Sequence, residues 1–417
     1  MQRYPHDPRV SMQTVFSTQP SPQWPGELQR LDKLPRREPF AADALALVGT
    51  LSQRILRSEL ARRFPELAAL AHWFRPASLR VMAERLQQPA QGARVRPRGV
   101  VFAMAPGSVD VLFIYAWLLS LLTGNAAVVC ASDKPSLVRD TFIALLLEIA
   151  GEPTHAAVLA DSWVITYDHD LAHTRAISEV CHARLVWGGD ATITAVRAIY
   201  LNPIAVEICF ADRFSLAAFD AATVLAQADD AVTELARRFA NDTLWFAQQA
   251  CSSPRAVIWI GGDADIAQAQ ARFWPRFGAA AQAFADEPSA AMCRVTDLFS
   301  LAALGAIDAL AAPPAQWPAR VSGMGGMDLV RGIHSGYGMF IEYRVARAAD
   351  VAGFVGETDQ TLVAYGITGG DLDALIGGLP NRAIDRIVAP GQATEFSTVW
   401  DGTDLFDVLT RKINLSA

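Results

Sequence analysis

Cys251 stands in the stretch NDTLWFAQQACSSPR (Asn241 to Arg255), after a polar Gln-Gln-Ala step and before Ser-Ser-Pro. The run that follows, AVIWI, is apolar and β-prone and stops at Gly261-Gly262. A thiol at the end of a loop that feeds a buried strand is held by the strand and reached through the loop, which is the mounting a covalent nucleophile needs. Composition alone treats any one cysteine as a small buried hydrophobe. Cys130 and Cys209, inside apolar runs, fit that description, and Cys181 and Cys293 lack the flanking pattern of Cys251.

Other residues offer weaker chemistry. His169 and His173 have a ligand-like spacing in HDLAH, but the stretch lacks the glutamate of a zinc-protease helix and shows no third ligand, so no metal is expected. Gly107-Ser108, Gly124-Asn125 and Gly188-Gly189 are separate strand-end or helix-end glycines, each sufficient for a cap or tight turn and none part of a GxGxxG. Ser132 and Lys134, just past a candidate strand, have the chemistry to meet a ribose hydroxyl or a phosphate, or to serve as ordinary loop polarity.

At 417 residues the chain has room for two or three domains and a large core. Hydrophobic residues make up 52% and charged residues 19%, and the formal charge is −7, which argues against a nucleic-acid surface. Five scattered cysteines without a CxxC pair fit a reducing cytoplasm better than a disulfide framework. MQRYPHDPRV has no apolar core of a signal peptide, and VLFIYAWLLSLL (Val111 to Leu122) is shorter than the roughly 18–20 residues that span a bilayer. A cytoplasmic protein with a buried core helix at that run is the expectation.

The elements that must position the thiol follow in order. Residues 1–40 read as a Pro/Gln-rich lead-in, and residues 41–88 as helical, with Leu45, Val48, Leu51 and Ile55 on one face. From Gly99 an α/β alternation predicts strands over 99–105, 126–131, 163–166 and 183–187, with helices over 109–123, 136–150, 170–179 and 192–199. Continuous apolar strands separated by helices mean a parallel sheet covered on both faces, which binds ligands at its carboxyl ends. A second α/β segment runs from about Ile204, with a helix over 221–241, the Cys251 loop and its strand, helices over 263–284 and 296–310, and a strand at Met339–Val345. Residues 405–412 read as a last helix.

In this order of parts the chain resembles the acyl-CoA reductase (LuxC-like) family of the aldehyde dehydrogenase superfamily. The matching stretches are FPELAALAHWFRPASLR, MAPGSVDVLFIYAWLLSLLTGNAAVV, LVWGGDATITAVRAI, ICFADRFSLAAF, QQACSSPRAVIWI and the RIVAPGQA…VWDG tail. The resemblance implies an α/β, aldehyde dehydrogenase-like fold: a helical N-terminal region (1–95), a parallel-sheet dinucleotide-binding domain (96–205), a catalytic domain with Cys251 (206–385), and a C-terminal segment (386–417) returning to the cofactor domain or an oligomer interface.

It further implies NAD(P)H-dependent reduction of an acyl thioester, from acyl-CoA or an acyl carrier and fatty in character, to an aldehyde. NADPH is favoured and NADH allowed, and an acyl-transferring partner protein and a homo-oligomer both fit. Cys251 would form the acyl-enzyme. Its backbone N–H and Ser108 would hold the oxyanion, Ser132 and Lys134 would meet the adenosine ribose, and Pro106, Gly107, Trp187, Gly188 and Gly189 would approach the pyrophosphate or nicotinamide. The chain departs from the superfamily at three places. Ser108 replaces an asparagine, Cys130 replaces a lysine of oxidising relatives, and Cys209 or Phe210 falls where hydrolytic members carry a water-activating glutamate. Glu207 could substitute for that base if the strand register allowed. The alternatives are an aldehyde dehydrogenase that forms acid and a non-catalytic subunit of a multienzyme assembly.

Overall fold

The computed structural model describes residues 12–17, 26–87, 93–107, 109–167, 171–284, 287–308 and 317–415. The chain divides into two compact units, Met1–Ala211 with Phe396–Ala417, and Asp212–Glu395.

The first unit carries β1 (Gln13–Phe16), β2 (Ala93–Pro97), β3 (Val100–Met104), β4 (Ala126–Cys130), β5 (Ser162–Thr166), β6 (Ala183–Trp187) and β7 (Val206–Phe210). All but β2 form one sheet in the order β1-β5-β4-β3-β6-β7, parallel throughout except for β1 at the edge. β4, β5 and β6 are buried at every position, which suits the wholly apolar AAVVC and the mostly apolar SWVIT and ARLVW. The helix Leu112–Leu122 is likewise buried all round, and among the described residues no helix is long and apolar enough to cross a membrane. Gly124 ends that helix with φ +81, where a Cβ would lie 2.3 Å from the Arg37 carbonyl oxygen. Asn125 then accepts the Gly99 N–H at 2.8 Å and donates to the Leu409 carbonyl at 2.9 Å.

The second unit carries β8 (Phe214–Asp220), β9 (Ala256–Ile260), β10 (Ala319–Ser322), β11 (Met339–Val345), β12 (Asp359–Tyr365) and β13 (Arg386–Val388), all parallel, in the order β10-β11-β9-β8-β12-β13. Alternate residues feed separate cores. Leu216, Ala218, Ile258, Ile341 and Leu362 serve one, and Ala217, Phe219, Val257, Trp259, Phe340 and Val363 the other. One acid is buried on β11. Glu342 Oε1 accepts from Trp259 Nε1 (2.7 Å), Gln270 Nε2 (2.9 Å) and Trp274 Nε1 (2.7 Å), and Oε2 from Arg320 Nε (3.0 Å) and Nη2 (2.8 Å). Arg320 also lies over the Trp274 ring at 4.7 Å.

The chain then returns to the first unit through β14 (Val399–Trp400), β15 (Thr403–Asp404) and β16 (Thr410–Asn414). β16 pairs antiparallel with β2, Thr410 opposite Pro97 and Asn414 opposite Ala93.

Several elements differ from the sequence expectation. The helix expected over 405–412 stops at Leu409, because Thr410–Asn414 finds a strand partner more than 300 residues upstream in β2. The helix expected over 221–241 is two, Ala221–Ala226 and Asp229–Leu244, broken at Gln227-Ala228. The helix expected from Thr296 begins at Pro288, a residue suited to the first turn, and ends at Ala303. The two compact units divide at 211/212, with β7 paired to β6 in the first, and at 395/396, with β13 paired to β12 in the second. Residues 26–87 belong to the same unit as the first sheet.

Candidate active site

Cys251 lies in the loop between the helix Asp229–Leu244 and β9, at the amino ends of the second unit's strands. Two neighbouring strand starts hold it. Ser215, at the start of β8, donates to the Cys251 carbonyl at 2.6 Å and accepts the Thr361 N–H of β12 at 3.2 Å. Gln360, also on β12 and buried, donates from Nε2 to the Cys251 Sγ at 3.6 Å. The residue before it, Asp359, is anchored by Arg331 through Nε (2.9 Å) and Nη2 (2.7 Å), so the start of β12 is rigidly placed.

The loop itself is strained. Ala247 (φ +50) and Gln248 (φ +62) occupy the left-handed region, which costs non-glycine residues about 1–3 kcal/mol each and persists only where the surroundings enforce it. The Gln248 side chain supplies that enforcement. It donates to the carbonyls of Pro254 (2.8 Å) and Met339 (2.9 Å) and accepts the Met339 N–H (3.0 Å), bracketing the loop against the start of β11. Gly336 (φ +101) packs so closely that a Cβ there would lie 2.8 Å from the Gln248 carbonyl oxygen.

Arg255 closes the loop, donating to the carbonyls of Gln248 (3.3 Å) and His334 (3.1 Å). Burial lowers its hold on its proton, and Cys251, Asp212 and Asp297 oppose that effect. Charge attraction is mutual, so the guanidinium favours a thiolate at Cys251. His334 is no base for this thiol. Its Nδ1 accepts the Gly336 N–H at 3.0 Å, which leaves the proton on Nε2 to donate to the Met339 carbonyl at 3.0 Å. Burial first, and Arg255 second, push its pKa down to about 3, so the ring is neutral.

Three other thiols hold their protons more tightly than a free thiol does. Burial pushes Cys130 and Cys181 up to about 12 and raises Cys209 as well. Glu207 is held in an ion pair. On β7 it is gripped by the buried Arg184, whose Nε donates to Oε2 at 2.6 Å, and Arg197 lies 3.5 Å from Oε1. Its register is fixed opposite Arg184 of β6.

The first unit brings several predicted residues together. Its sheet winds outward in both directions from β3, so the crevice at the carboxyl ends of β3 and β6 is the switch point at which such sheets bind ligands. Pro106 and Gly107 follow β3 there, and Gly188 and Gly189 follow Trp187 at the end of β6. A Cβ on Gly107 would lie 2.8 Å from Ser132 Oγ and 3.9 Å from Lys134 Cδ, so the space beside this glycine is bounded by those two side chains. Lys134 is exposed, and Arg139 ties down the turn by donating to the carbonyls of Ser132 (2.6 Å) and Lys134 (3.0 Å). Trp187 stacks on Phe210 at 4.6 Å and is met edge-on by Trp400 at 6.3 Å, and its buried indole N–H has no hydrogen-bond partner. Ser108 and His169 lie outside the described residues. Among the described residues no cluster of three or more His, Cys, Asp or Glu forms a metal site.

The acyl-CoA reductase (LuxC) family model matches residues 40–272, more than half of the chain. The chain belongs to that family. A curated relative of this LuxC-family chain, the long-chain acyl-protein thioester reductase of Aliivibrio fischeri, is 24% identical over 186 residues, which is 44% of this chain and 36% of that protein. The chain thus aligns with about a third of that relative's length. Among solved structures, the aldehyde dehydrogenase KauB from Pseudomonas aeruginosa superposes with a TM-score of 0.66 at 13% identity, covering 94% of this chain and 87% of that one. PnpE from Pseudomonas sp. WBC-3 does so with a TM-score of 0.64 at 17% identity, covering 90% and 86%. A structure of PnpE with nicotinamide adenine dinucleotide gives 0.65 at 16% identity, covering 94% and 88%. The LuxC-family chain therefore has the aldehyde dehydrogenase fold.

The residues around Cys251 that sequence reasoning missed are Gln248, Arg255, Ser215, Gln360 and His334. The polar Gln-Gln step before the thiol was a visible signal for Gln248. Gln360, 109 positions away, had none.

Proposed function

We propose that this chain reduces an acyl thioester to an aldehyde with NAD(P)H, through a thioester on Cys251. The observation that carries the reading is the seat of the thiol, with the Gln360 amide on its sulfur and the Arg255 cation in its field.

The chemistry follows from those groups. The Cys251 thiolate attacks the acyl carbonyl, and the leaving thiolate of coenzyme A or a carrier departs as the new thioester closes. Exchange between two sulfurs is nearly balanced, so the site needs a thiolate and donors for the oxyanion more than a strong base. The Cys251 backbone N–H and Ser108 are assigned to that oxyanion. A reduced nicotinamide, when bound, supplies the hydride that turns the acyl group into aldehyde and releases the thiolate.

The crevice at the ends of β3 and β6 has the features such a nucleotide requires. Gly107 lets a backbone come close, Lys134 offers a cation for phosphate, and the partnerless Trp187 N–H offers a buried donor. Pro106, Gly107, Ser132, Lys134, Trp187, Gly188 and Gly189 are assigned to it. The cation favours NADPH over NADH. A fatty acyl donor, on coenzyme A or a carrier protein, is the substrate class, with a homo-oligomer and an acyl-transferring partner compatible with it.

Intact-mass measurement after brief exposure to a panel of acyl thioesters tests the reading. An adduct on Cys251, lost in Cys251→Ala, and NADPH oxidation that depends on the acyl donor are expected. Wild-type protein that forms no adduct and consumes no NADPH with any donor would refute it. Aldehyde-dependent NADPH formation with release of acid would replace it with the oxidising direction.

A further inference from the structure

Asp242 is wholly buried in the last turn of the helix Asp229–Leu244. Its carboxylate holds one segment and its main chain another. Oδ2 accepts the Gly391 N–H at 2.6 Å and Oδ1 the Ala393 N–H at 2.8 Å, fixing the segment that ends the second unit at Glu395. Its backbone carbonyl, among the last four of the helix and so without an intrahelical partner, accepts the Ser253 hydroxyl at 2.7 Å. Ser253 is itself buried and lies two residues past Cys251.

We propose that Asp242 is a positioning residue for Cys251, whose ionised carboxylate, clamped on Gly391 and Ala393, fixes the helix end that seats the nucleophile loop through Ser253. The inference rests on Cys251 being the nucleophile.

The argument is one of hydrogen-bond arithmetic. An ionised carboxylate accepts at both oxygens, which is what two converging N–H groups require. A protonated one carries an O–H at one oxygen, which accepts far more weakly than a carboxylate oxygen, so the hold on either Gly391 or Ala393 loosens. The helix end that carries the Asp242 carbonyl moves with it, and the Ser253 contact shifts the thiol. Burial supports a change of state within the working range, since it pushes the Asp242 carboxyl up to about 7 against the pull of the two N–H bonds.

The charged groups facing Asp242 are few. Glu395, from its own clamped segment, raises the value further, and Arg386 of β13 lowers it. Arg386 also donates to the Gln392 carbonyl at 3.0 Å in that segment. On the same helix, Arg238 packs its stem against Gly391 and pairs outward with Glu234. From the nucleophile loop the group that meets Asp242 is the uncharged Ser253.

Site-resolved alkylation of the Cys251 peptide by iodoacetamide, followed from pH 5 to 9, tests the proposal without any acyl donor. Wild type should show the ionisation of the thiol and a second inflection near neutrality. Asp242→Asn, which can accept at one position only, should lose that second inflection and react several-fold more slowly at pH 8. Ser253→Ala, which cuts the link while leaving the clamp, should lose the inflection too, and covers the case in which Asp242→Asn fails to fold. A wild-type profile retained in either folded variant overturns the proposal, and so does a wild-type profile with a single inflection. Failure of acyl transfer with this pH pattern intact would count against the reductase reading alone.

Discussion

The amide on the Cys251 sulfur offers the sharpest test of the site. Gln360→Met replaces a buried side chain with one of similar length and no donor, so the core should tolerate it at under about 1.5 kcal/mol. What the sulfur loses is one N–H bond at 3.6 Å, and the 3.4 Å bond from the Thr361 hydroxyl to Gln360 Oε1 goes with it. A hydrogen bond to a charged group is worth about 1.5–3 kcal/mol, and the length of this one places it at the low end. At about 1.4 kcal/mol per factor of ten, the fraction of thiolate should fall roughly tenfold wherever the thiol predominates. The assay is the rate of Cys251 alkylation, resolved by peptide, at a pH below the ionisation of the thiol. Gln360→Glu serves as the sign control. It keeps the shape but sets a carboxylate against the thiolate, and should react more slowly than the methionine variant. A methionine variant that alkylates within twofold of wild type, or a glutamate variant that outpaces it, would refute the role given to Gln360.

Other expectations are as direct. Glu342→Met strips five donors of one acceptor group and should destabilise the second unit by about 3–5 kcal/mol, read from urea midpoints; a loss below about 1 kcal/mol would mean water satisfies those donors. Gly107→Ala places a Cβ 2.8 Å from Ser132 Oγ and should weaken NADPH binding, measured by nicotinamide fluorescence, by about 1–3 kcal/mol with Cys251 alkylation unchanged; unchanged binding would remove Gly107 from the nucleotide site.

The acid response combines two opposed groups. Below its ordinary value of 6.5, His334 takes a proton only in the unfolded chain, so stability falls with falling pH by up to about 1.4 kcal/mol per unit. Asp242, raised from 3.8 to about 7, holds a proton only in the folded chain between those values, so its contribution falls as pH rises. Asp242→Asn should therefore show stability climbing more steeply than wild type between pH 4.5 and 6.5, and parallel curves would contradict the assignment.

The first sheet was legible because each of its central strands is local and unbroken. VVFAM, AAVVC and ARLVW announce themselves, and their carboxyl ends could be located from sequence alone. β12 and β16 were not, since DQTLVAY and TRKIN become strands through partners far away in the chain, and ARVS is a short strand without an apolar run. The same distance hid the thiol's surroundings. Cys251 could be picked out from its own loop, whereas Gln360 and Ser215 meet it only because three parallel strands begin side by side. Glu207 shows the limit of periodicity. Alternation gave its face on β7, but the neutralising Arg184 sits on the neighbouring strand.

The chain order of the two units bears on how the protein is made. Residues 212–395 hold every strand of the second sheet, so that unit can complete its core as a single emerging stretch. The first unit cannot. Asn125 waits for the Leu409 carbonyl, Tyr115 for the Ser397 carbonyl at 2.6 Å, and β2 for β16. During synthesis, the nascent first unit must therefore be carried without these contacts until residues 396–414 emerge from the ribosome, and a stop codon soon after residue 395 would spare the thiol's own unit while leaving the other unfinished.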